Sequence, residues 1–206
     1  MTKKEKRKAP AVYSLQNLVI RVPTVSRDLN GLARFFAALP SSLQNTLRYR
    51  VTDKKLLRHR LKQIDGTSHW RLIAEIEGKI VGDATMDREP FGWTRHVAEV
   101  RAVVDPQYSF LDIEAALFRE LALLGDKGGI ERLFTEVMKG QNNLIAALEQ
   151  TGFVYEATRR KYAKDLQGKL HDVIILSNDI NKVWRSLARQ IEELDTQPSR
   201  TIEGQY

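Results

Sequence analysis

Three strand patterns in succession, over residues 70–104, constrain the fold of this 206-residue chain more than any other feature. The segments W-R-L-I-A-E-I-E (70–77) and K-I-V-G-D-A-T-M (79–86) flank Gly78, which is typical of two antiparallel strands joined by a tight turn. The segment H-V-A-E-V-R-A-V-V (96–104) alternates and then becomes continuously apolar, as a central strand does. We therefore predict a sheet with this third strand near its centre.

Helical and strand patterns alternate on both sides of these three strands. N-terminal to them, a strand over 18–22 precedes a helix capped by Ser26 or Asp28 and a second helical region over 53–64. C-terminal to them we predict helices over 111–124 and 141–150, and strands over 130–137, 153–158, 160–166 and 171–176. This order predicts one α/β domain over residues 15–178.

The composition excludes several kinds of chemistry. The chain has no cysteine, which rules out thiol catalysis, disulfides and cysteine–zinc sites. Its four histidines show no metal-ligand spacing, so we expect no metal site, and we interpret the adjacent His171 and Asp172 as structural. No apolar run approaches membrane-spanning length and no apolar leader opens the sequence, so we expect a cytoplasmic protein that does not enter a membrane.

The N-terminal segment is strongly basic. Against Glu5, the first ten residues carry five basic side chains, Lys3, Lys4, Lys6, Arg7 and Lys8. We predict a flexible basic tail over residues 1–14. Such a tail is consistent with a solvated end that aids solubility, and also with an electrostatic contact to nucleic acid or to an acidic protein.

The C-terminal segment predicts an additional amphipathic helix over residues 179–195, followed by a loose tail over 196–206. Its apolar residues are spaced by four and three, as in a coiled-coil seam: Ile180, Trp184, Leu187 and Ile191. The helix would either pack on its own domain or mediate dimerisation or binding of a protein partner.

Several segments together carry a family resemblance. In order, I-A-E-I-E-G-K-I-V-G-D-A-T (73–85), A-E-V-R-A-V-V-D-P-Q-Y (98–108) and L-I-A-A-L-E-Q-T-G-F (144–153) resemble the GNAT superfamily of acyl-CoA-dependent N-acetyltransferases. The segments 43–50 and 56–65 resemble the two-helix region in the acetyltransferase module of Pat-type protein lysine acetyltransferases. The resemblance implies the GNAT fold, a central mixed twisted sheet of about seven strands flanked by helices, to which the C-terminal helix is added.

The resemblance also implies a reaction, the transfer of an acetyl group from acetyl-CoA to an amine. The pantetheine arm would lie along the backbone at Val103 and Val104, and the pyrophosphate would sit at the N-terminus of the next helix. By position, Glu99 would be the general base that deprotonates the amine. From the alternating pattern alone, Glu99 is better interpreted as an ordinary outward-facing residue of its strand, and the resemblance makes the two interpretations about equal.

The phosphate-binding loop departs from the family pattern of Gln or Arg, two residues, Gly, one residue, and Gly or Ala. Ser109 takes the first place, Asp112 the first glycine and Glu114 the second small residue. A side chain at 112 obstructs close backbone approach, and two carboxylates repel an anion. We therefore predict a degenerate acetyl-CoA site. By position its residues are Val103, Val104, Ser109, Phe110, Leu111, Asp112, Ile113, Glu114, Gln141 and Asn142.

Two functional hypotheses follow from this reading. The first is a weak or non-catalytic GNAT-fold protein that acts by binding a partner, and the degenerate loop favours it. The second is an active acetyl-CoA-dependent N-acetyltransferase that modifies a protein lysine or another amine with Glu99 as its base. An exposed Phe91 or Trp93 in the loop E-P-F-G-W-T-R (89–95) would indicate a contact with a substrate or partner.

Overall fold

The structure is a computed structural model and describes residues 17–47, 53–165 and 167–181, apart from the side chains of Phe110 and Leu111. The elements N-terminal to the central strand are β1 (Leu18–Arg21), α1 (Val25–Ala38), α2 (Ser41–Gln44), α3 (Lys54–Lys62), β2 (His69–Ile76) and β3 (Lys79–Asp87). The remaining elements are β4 (Val97–Val104), a 3-10 helix (Pro106–Leu111), α4 (Ile113–Lys127), β5 (Arg132–Met138), α5 (Asn142–Gln150), β6 (Val154–Lys164) and β7 (Leu170–Asp179).

The strands form one mixed sheet of seven in the order β1-β2-β3-β4-β5-β7-β6. All neighbouring pairs are antiparallel except β4 and β5, which run parallel. The predicted sheet flanked by helices, with β4 at its centre, is confirmed.

The predicted hairpin between β2 and β3 is also confirmed. Ile76 pairs with Lys79, and the two residues between them, Glu77 and Gly78, have φ angles of 50° and 76°. Two consecutive positive φ angles match the turn type whose twist suits antiparallel strands, and glycine adopts such angles without a Cβ clash.

Each face of the sheet buries its own apolar cluster. Helices α1 and α3 cover one face, where Leu32, Phe36 and Leu57 are each at most 2% exposed. Helices α4 and α5 cover the other face, where Phe118 and Leu148 are similarly buried. The alternation along the central strands supplies apolar residues to both clusters.

The N-cap of α1 is Thr24, so the predicted caps Ser26 and Asp28 are wrong. The Thr24 hydroxyl accepts from the backbone N–H of Arg27 at 3.4 Å. Asp28 lies in the first turn instead, where it accepts from the Thr24 N–H at 2.7 Å and from the guanidinium of Arg21 at 2.6 and 2.9 Å. Asp28 is therefore engaged by the partly buried Arg21 of β1 and is not the N-cap of α1.

The C-terminal sheet also differs from the prediction. Residues 153–158 and 160–166 were expected to form two strands, whereas 154–164 form the single strand β6. Its pairing with β7 shifts register after Tyr155 and again after Arg159, and Lys161 has a φ of 51°. Bulges of this kind interrupt the alternation of a strand without ending it. The break in the sequence pattern is therefore a bulge within one strand and not a boundary between two strands.

The two terminal predictions lie mostly beyond the described residues. Ile180 follows β7, is 1% exposed and packs into the cluster beneath α4. Trp184, Leu187, Ile191 and the basic residues of the N-terminal tail lie outside the described residues. In the described ranges, no helix combines the length and apolar character needed to cross a membrane.

Candidate functional site

Strands β4 and β5 separate part-way along their length. They are paired only from Val97–Glu99 to Arg132–Phe134, at the N-terminal half of β4. Beyond Glu99 the two strands diverge, so the backbone of the C-terminal half of β4 is turned to an opening in the sheet. Most of the residues predicted for the acetyl-CoA site lie around this opening.

A cleft of about 620 Å³ occupies the opening. It is bounded by the end of β4, the start of α4, the turn between β5 and α5, the α2 region and the β6–β7 turn. Six of the ten residues predicted for the acetyl-CoA site line this cleft, namely Val103, Val104, Ser109, Glu114, Gln141 and Asn142. Of the others, the Asp112 side chain is exposed nearby, while the Ile113 side chain is fully buried in the core and offers only its backbone.

The loop from β4 to α4 keeps the backbone shape of a glycine-containing loop. Asp105 caps the 3-10 helix by accepting from the N–H of Gln107 at 3.1 Å. Asp112 then adopts φ 49° and ψ 32°, the left-handed region, and its side chain makes no capping hydrogen bond to α4. Asp tolerates this conformation better than most residues, although glycine is the usual choice. Asp112 thus retains a glycine-like backbone and adds an exposed carboxylate.

Glu114 places a second carboxylate inside the cleft itself. Its side chain is half-buried in the first turn of α4. Burial raises the pKa of Glu114 above its usual value, and the neighbouring charge of Asp112 raises it further. The first turn of a helix stabilises a carboxylate, yet here the surroundings already disfavour its negative charge. A further anion at this place would be disfavoured in the same way.

Gln141 is already engaged within the protein. Its Oε1 accepts from the N–H of Met138 at 3.2 Å, and its Nε2 donates to the Thr46 hydroxyl at 3.1 Å. A second bond joins Gln167 Nε2 to Asn45 Oδ1 at 3.1 Å. The bonds to Thr46 and Asn45 thus connect the α2 region to the β5–α5 turn and to the β6–β7 turn.

Glu99 lies in an ion pair. Both of its carboxylate oxygens accept from Arg101, whose guanidinium also donates to Asp87 at 2.9 Å. The Glu99 side chain is 13% exposed and is not among the described residues that line the cleft. Its assignment as general base stays a prediction.

The ion pair of Glu99 belongs to a larger set of polar residues on the face beneath α1 and α3. Strand register aligns Arg71 with Thr85 and Thr85 with Arg101, and in the next row aligns His69 with Asp87 and Asp87 with Glu99. Within the second row His69 and Asp87 are 2.8 Å apart, and other bonds join neighbouring rows, including the buried pair of Arg71 and Asp83 at 2.6 and 3.0 Å. We name this set the polar grid: His69, Arg71, Asp83, Thr85, Asp87, Glu99 and Arg101.

Sequence reasoning missed the polar grid, although a signal was present. Polar residues at every second position, Asp83, Thr85 and Asp87 on one strand and Glu99 and Arg101 on the next, indicate a polar face on each strand. Alternation of this kind is usually read as a solvent-facing side. Here a helical layer covers that side, so the charges are paired with one another.

His171 pairs with an acid other than its sequence neighbour, and its interpretation as a structural residue stays a prediction. His171 lies in the cleft and is 2.7 Å from Asp165, not paired with its neighbour Asp172. The other oxygen of Asp165 accepts from the N–H groups of Gln167 and Lys169, which orders the β6–β7 turn. Among the described residues, no group of three or more His, Asp or Glu side chains is placed to hold a metal ion.

Comparison with known proteins gives a consistent result. No protein-family model matches the chain. The L-amino acid N-acetyltransferase AaaT of Escherichia coli (strain K12) is 27% identical over 150 residues, which covers 72% of this chain and 90% of that protein. The GNAT domain of S. lividans PAT superposes with a TM-score of 0.64 at 22% identity, over 78% of this chain and 89% of that domain. The chain therefore has the fold of the GNAT acetyltransferases and is similar in sequence to an N-acetyltransferase.

A second solved structure has a similar fold. A putative acetyltransferase from Salmonella typhimurium, solved with its cofactor acetyl-CoA, has a TM-score of 0.67 at 16% identity, over 80% of this chain and 94% of that one. At this identity the likeness shows the fold, and the GNAT fold predicted from the sequence is confirmed.

Proposed function

We propose that this GNAT protein has lost most of its affinity for acetyl-CoA, transfers acetyl groups weakly or not at all, and acts by binding a partner. The observation that carries the proposal is the half-buried carboxylate of Glu114 in the cleft, with the exposed carboxylate of Asp112 beside it. Family members present glycine or another small residue at both places.

The electrostatic cost of these carboxylates is large enough to matter. A like charge at ~4 Å costs about 1 kcal/mol in water and about 4 kcal/mol at an effective dielectric near 20. Because about 1.4 kcal/mol corresponds to tenfold in affinity, one such contact with a pyrophosphate would weaken binding by up to several hundredfold. The engaged amide of Gln141 adds to this, since a ligand would have to displace its bonds to Met138 and Thr46.

An active acetyltransferase is the second candidate, and the preserved cleft of about 620 Å³ favours it. Acetyl-CoA, when bound, would supply the acetyl group as a thioester. Glu99 would take a proton from the incoming ammonium, and the neutral amine would then attack, forming the C–N bond as the C–S bond breaks. The acceptor would be a protein lysine or another amine, and the relative AaaT, named for L-amino acids, supports a small amine.

Calorimetric titration of acetyl-CoA separates the two candidates. We compare the parent with D112G/E114G, which restores the small residues, and with D112N/E114Q, which removes the charges but keeps the size. The parent should show no binding at micromolar concentration, and D112G/E114G should bind at least about tenfold more tightly. If D112N/E114Q recovers most of that gain in affinity, the negative charge of the two carboxylates is what weakens acetyl-CoA binding. If only D112G/E114G recovers it, the size of the two side chains obstructs the pyrophosphate. Micromolar binding by the parent would refute the proposal.

Partner binding has two candidate surfaces, the basic tail and the C-terminal segment with Ile180, Trp184, Leu187 and Ile191. If the tail Lys3, Lys4, Lys6, Arg7 and Lys8 binds nucleic acid, affinity should fall steeply with salt, because each neutralised phosphate releases counterions. A chain beginning at Tyr13 should then lose the affinity measured by fluorescence anisotropy. Equal affinity with and without residues 1–12 would exclude the tail, and the double variant W184A/L187A would then test the C-terminal surface.

A further inference from the structure

The loop between β3 and β4 carries the two most exposed large apolar side chains of the described residues. Trp93 is 90% exposed and Phe91 is 78% exposed. Aromatic side chains of this size bury about 150–250 Å² each when they are enclosed. Together the two leave on the order of 300 Å² of apolar surface in water, which is as large as the largest apolar patch on many monomers. We name residues 89–95 the aromatic loop, and its tip has the character of a contact surface.

The base of the aromatic loop is fixed to the rest of the fold. Arg88 precedes the loop, and its Nη1 donates to the carbonyl of Arg95 at 3.3 Å and to that of Gly128 at 3.0 Å. The Arg88 guanidinium also lies over the ring of Trp70, 5.6 Å from the ring centroid. The loop therefore holds its exposed aromatic side chains in a defined position, which lowers the entropic cost of covering them.

The end of β7 lies beside this loop. The Ile180 N–H donates to the Glu131 carbonyl at 3.0 Å, and the Glu131 N–H donates to the His96 carbonyl at 2.8 Å. His96 directly follows the aromatic loop in the sequence. Backbones joined by hydrogen bonds lie about 4.7–4.9 Å apart, so two such steps place Ile180 on the order of 10 Å from the end of the loop. Residues 182–206 continue the chain from this place.

The chain enters a helical turn as it leaves β7. Ile180 and Asn181 are helical, and the Asp179 carboxylate accepts from the Asn181 N–H at 3.1 Å, as an N-cap does. The amphipathic helix predicted from the sequence would therefore begin here. Its first apolar residue, Ile180, is already 1% exposed, so the next apolar positions, Trp184 and Leu187, follow from an anchored start.

These positions are close enough to reach the aromatic loop. Because a helix advances about 1.5 Å per residue, Trp184 would lie ~6 Å and Ile191 ~17 Å along the predicted helix from Ile180. An extended chain would carry Trp184 up to about 13 Å away. Both ranges include the distance to the loop. The apolar residues spaced by four and three supply the surface that two exposed aromatic rings lack.

A lipid surface fits the aromatic loop less well. The loop has one exposed acid, Glu89, and one exposed base, Arg95, and thus no net charge. Anionic membrane surfaces attract clusters of basic residues, and no such cluster accompanies Phe91 and Trp93 within the loop. An apolar segment of protein matches the loop better, and the segment that follows Asn181 is the one that begins beside it.

We propose that the C-terminal segment 182–194 folds back on its own domain and covers the aromatic loop, with Trp184 and Leu187 against Phe91 and Trp93. A protein partner that uses this segment must then displace the contact, so the loop competes with such a partner for the segment. The inference does not depend on whether acetyl-CoA binds, because the loop precedes β4 whereas the cleft lies at the C-terminal end of that strand.

The test is fluorine NMR of the full chain labelled with 5-fluorotryptophan, which gives separate signals for its three tryptophans, Trp70, Trp93 and Trp184. A soluble paramagnetic agent should broaden the Trp93 signal at least about threefold less in the parent than in L187D/I191D, because the covering segment excludes solvent. Reciprocally, Phe91→Ala should shift the Trp184 signal. Trp70 is 6% exposed, and its unchanged signal verifies that each variant is folded.

Two matched controls separate the contact from general effects. R185A/R189A alters the side of the predicted helix opposite its apolar residues and should leave the accessibility of Trp93 unchanged. Tyr155→Ala removes another exposed aromatic side chain, which is 61% exposed on β6, and should leave the Trp184 signal unchanged.

Three outcomes would overturn the proposal. Equal accessibility of Trp93 in the parent and in L187D/I191D would leave the aromatic loop free for another molecule. An unshifted Trp184 signal in Phe91→Ala would mean that the segment lies elsewhere. The protection of Trp93 should persist over about a tenfold dilution of the protein, and its loss on dilution would mean that a second copy supplies the segment.

Discussion

Replacing Asp83 with alanine should lower the free energy of unfolding by about 3–5 kcal/mol. The side chains of Asp83 and Arg71 are each 7% exposed and joined by two hydrogen bonds. Burial raises the pKa of Asp83 against the opposing attraction of Arg71, which indicates that its charge is held in a poorly solvated place. Without Asp83, the Arg71 guanidinium would remain buried and unpaired. Urea denaturation followed by circular dichroism measures the loss.

The control for this prediction removes both charges at once. In R71M/D83L, apolar side chains of similar length replace the pair, and such replacements are often neutral or stabilising. We therefore expect this variant to be within about 1 kcal/mol of the parent or more stable. A loss under about 1 kcal/mol in D83A would show that water reaches the guanidinium, and equal losses in both variants would show that the ion pair itself, and not the uncompensated charge, determines stability.

Replacing Arg21 with alanine should cost about 3 kcal/mol at pH 7. Arg21 joins β1 to two buried carboxylates, Asp28 at 2.6 Å and Glu75 at 2.7 Å, whose side chains are 3% and 10% exposed. Its guanidinium holds the pKa of both carboxyls below their usual values. Arg27 is the matched control, because it is 63% exposed and only 3.5 Å from Glu75, and its replacement by alanine should cost less than about 1 kcal/mol.

The Arg21 effect should depend on pH with a definite sign. Because the folded-state pKa values of Asp28 and Glu75 are lowered, their contribution to stability is present above their unfolded values near about 4 and is lost as pH falls through the folded values. The stability difference between the parent and R21A should therefore be largest near neutral pH and shrink below about pH 4. A difference that stays constant to pH 2 would mean that Arg21 acts by packing and not by charge.

The sequence by itself determined the features that depend on short stretches of chain. The β2–β3 hairpin follows from alternation on both sides of Gly78, and its turn angles are those that glycine permits. The carboxylates at Asp112 and Glu114 are visible in the loop without any structure, because their place is set by distance along the chain from β4. The order of strands and helices follows from local periodicity in the same way.

Local sequence patterns failed to predict side-chain contacts where the partner lies elsewhere in the chain. Asp28 reads as a helix cap, yet Arg21 on β1 binds it within the first turn of α1. His171 reads as a neighbour of Asp172, yet side chains on adjacent strand positions point to opposite faces, and the turn brings Asp165 to it instead. The bulge near Lys161 makes the single strand β6 resemble two strands in the sequence, because a change of register also breaks the alternation.

Only the tertiary structure decided how the site is built. The opening between β4 and β5 arises because pairing stops after Glu99, and nothing in either strand alone marks that end. The polar grid and the cavity beneath α3 depend on the register of three strands and on the position of α3 over them. Contacts such as the one from Arg21 to Glu75 join residues 54 positions apart in the sequence. Alternation predicts which residues share a face of one strand, but register and the covering layer determine whether that face meets solvent, a helix or a ligand.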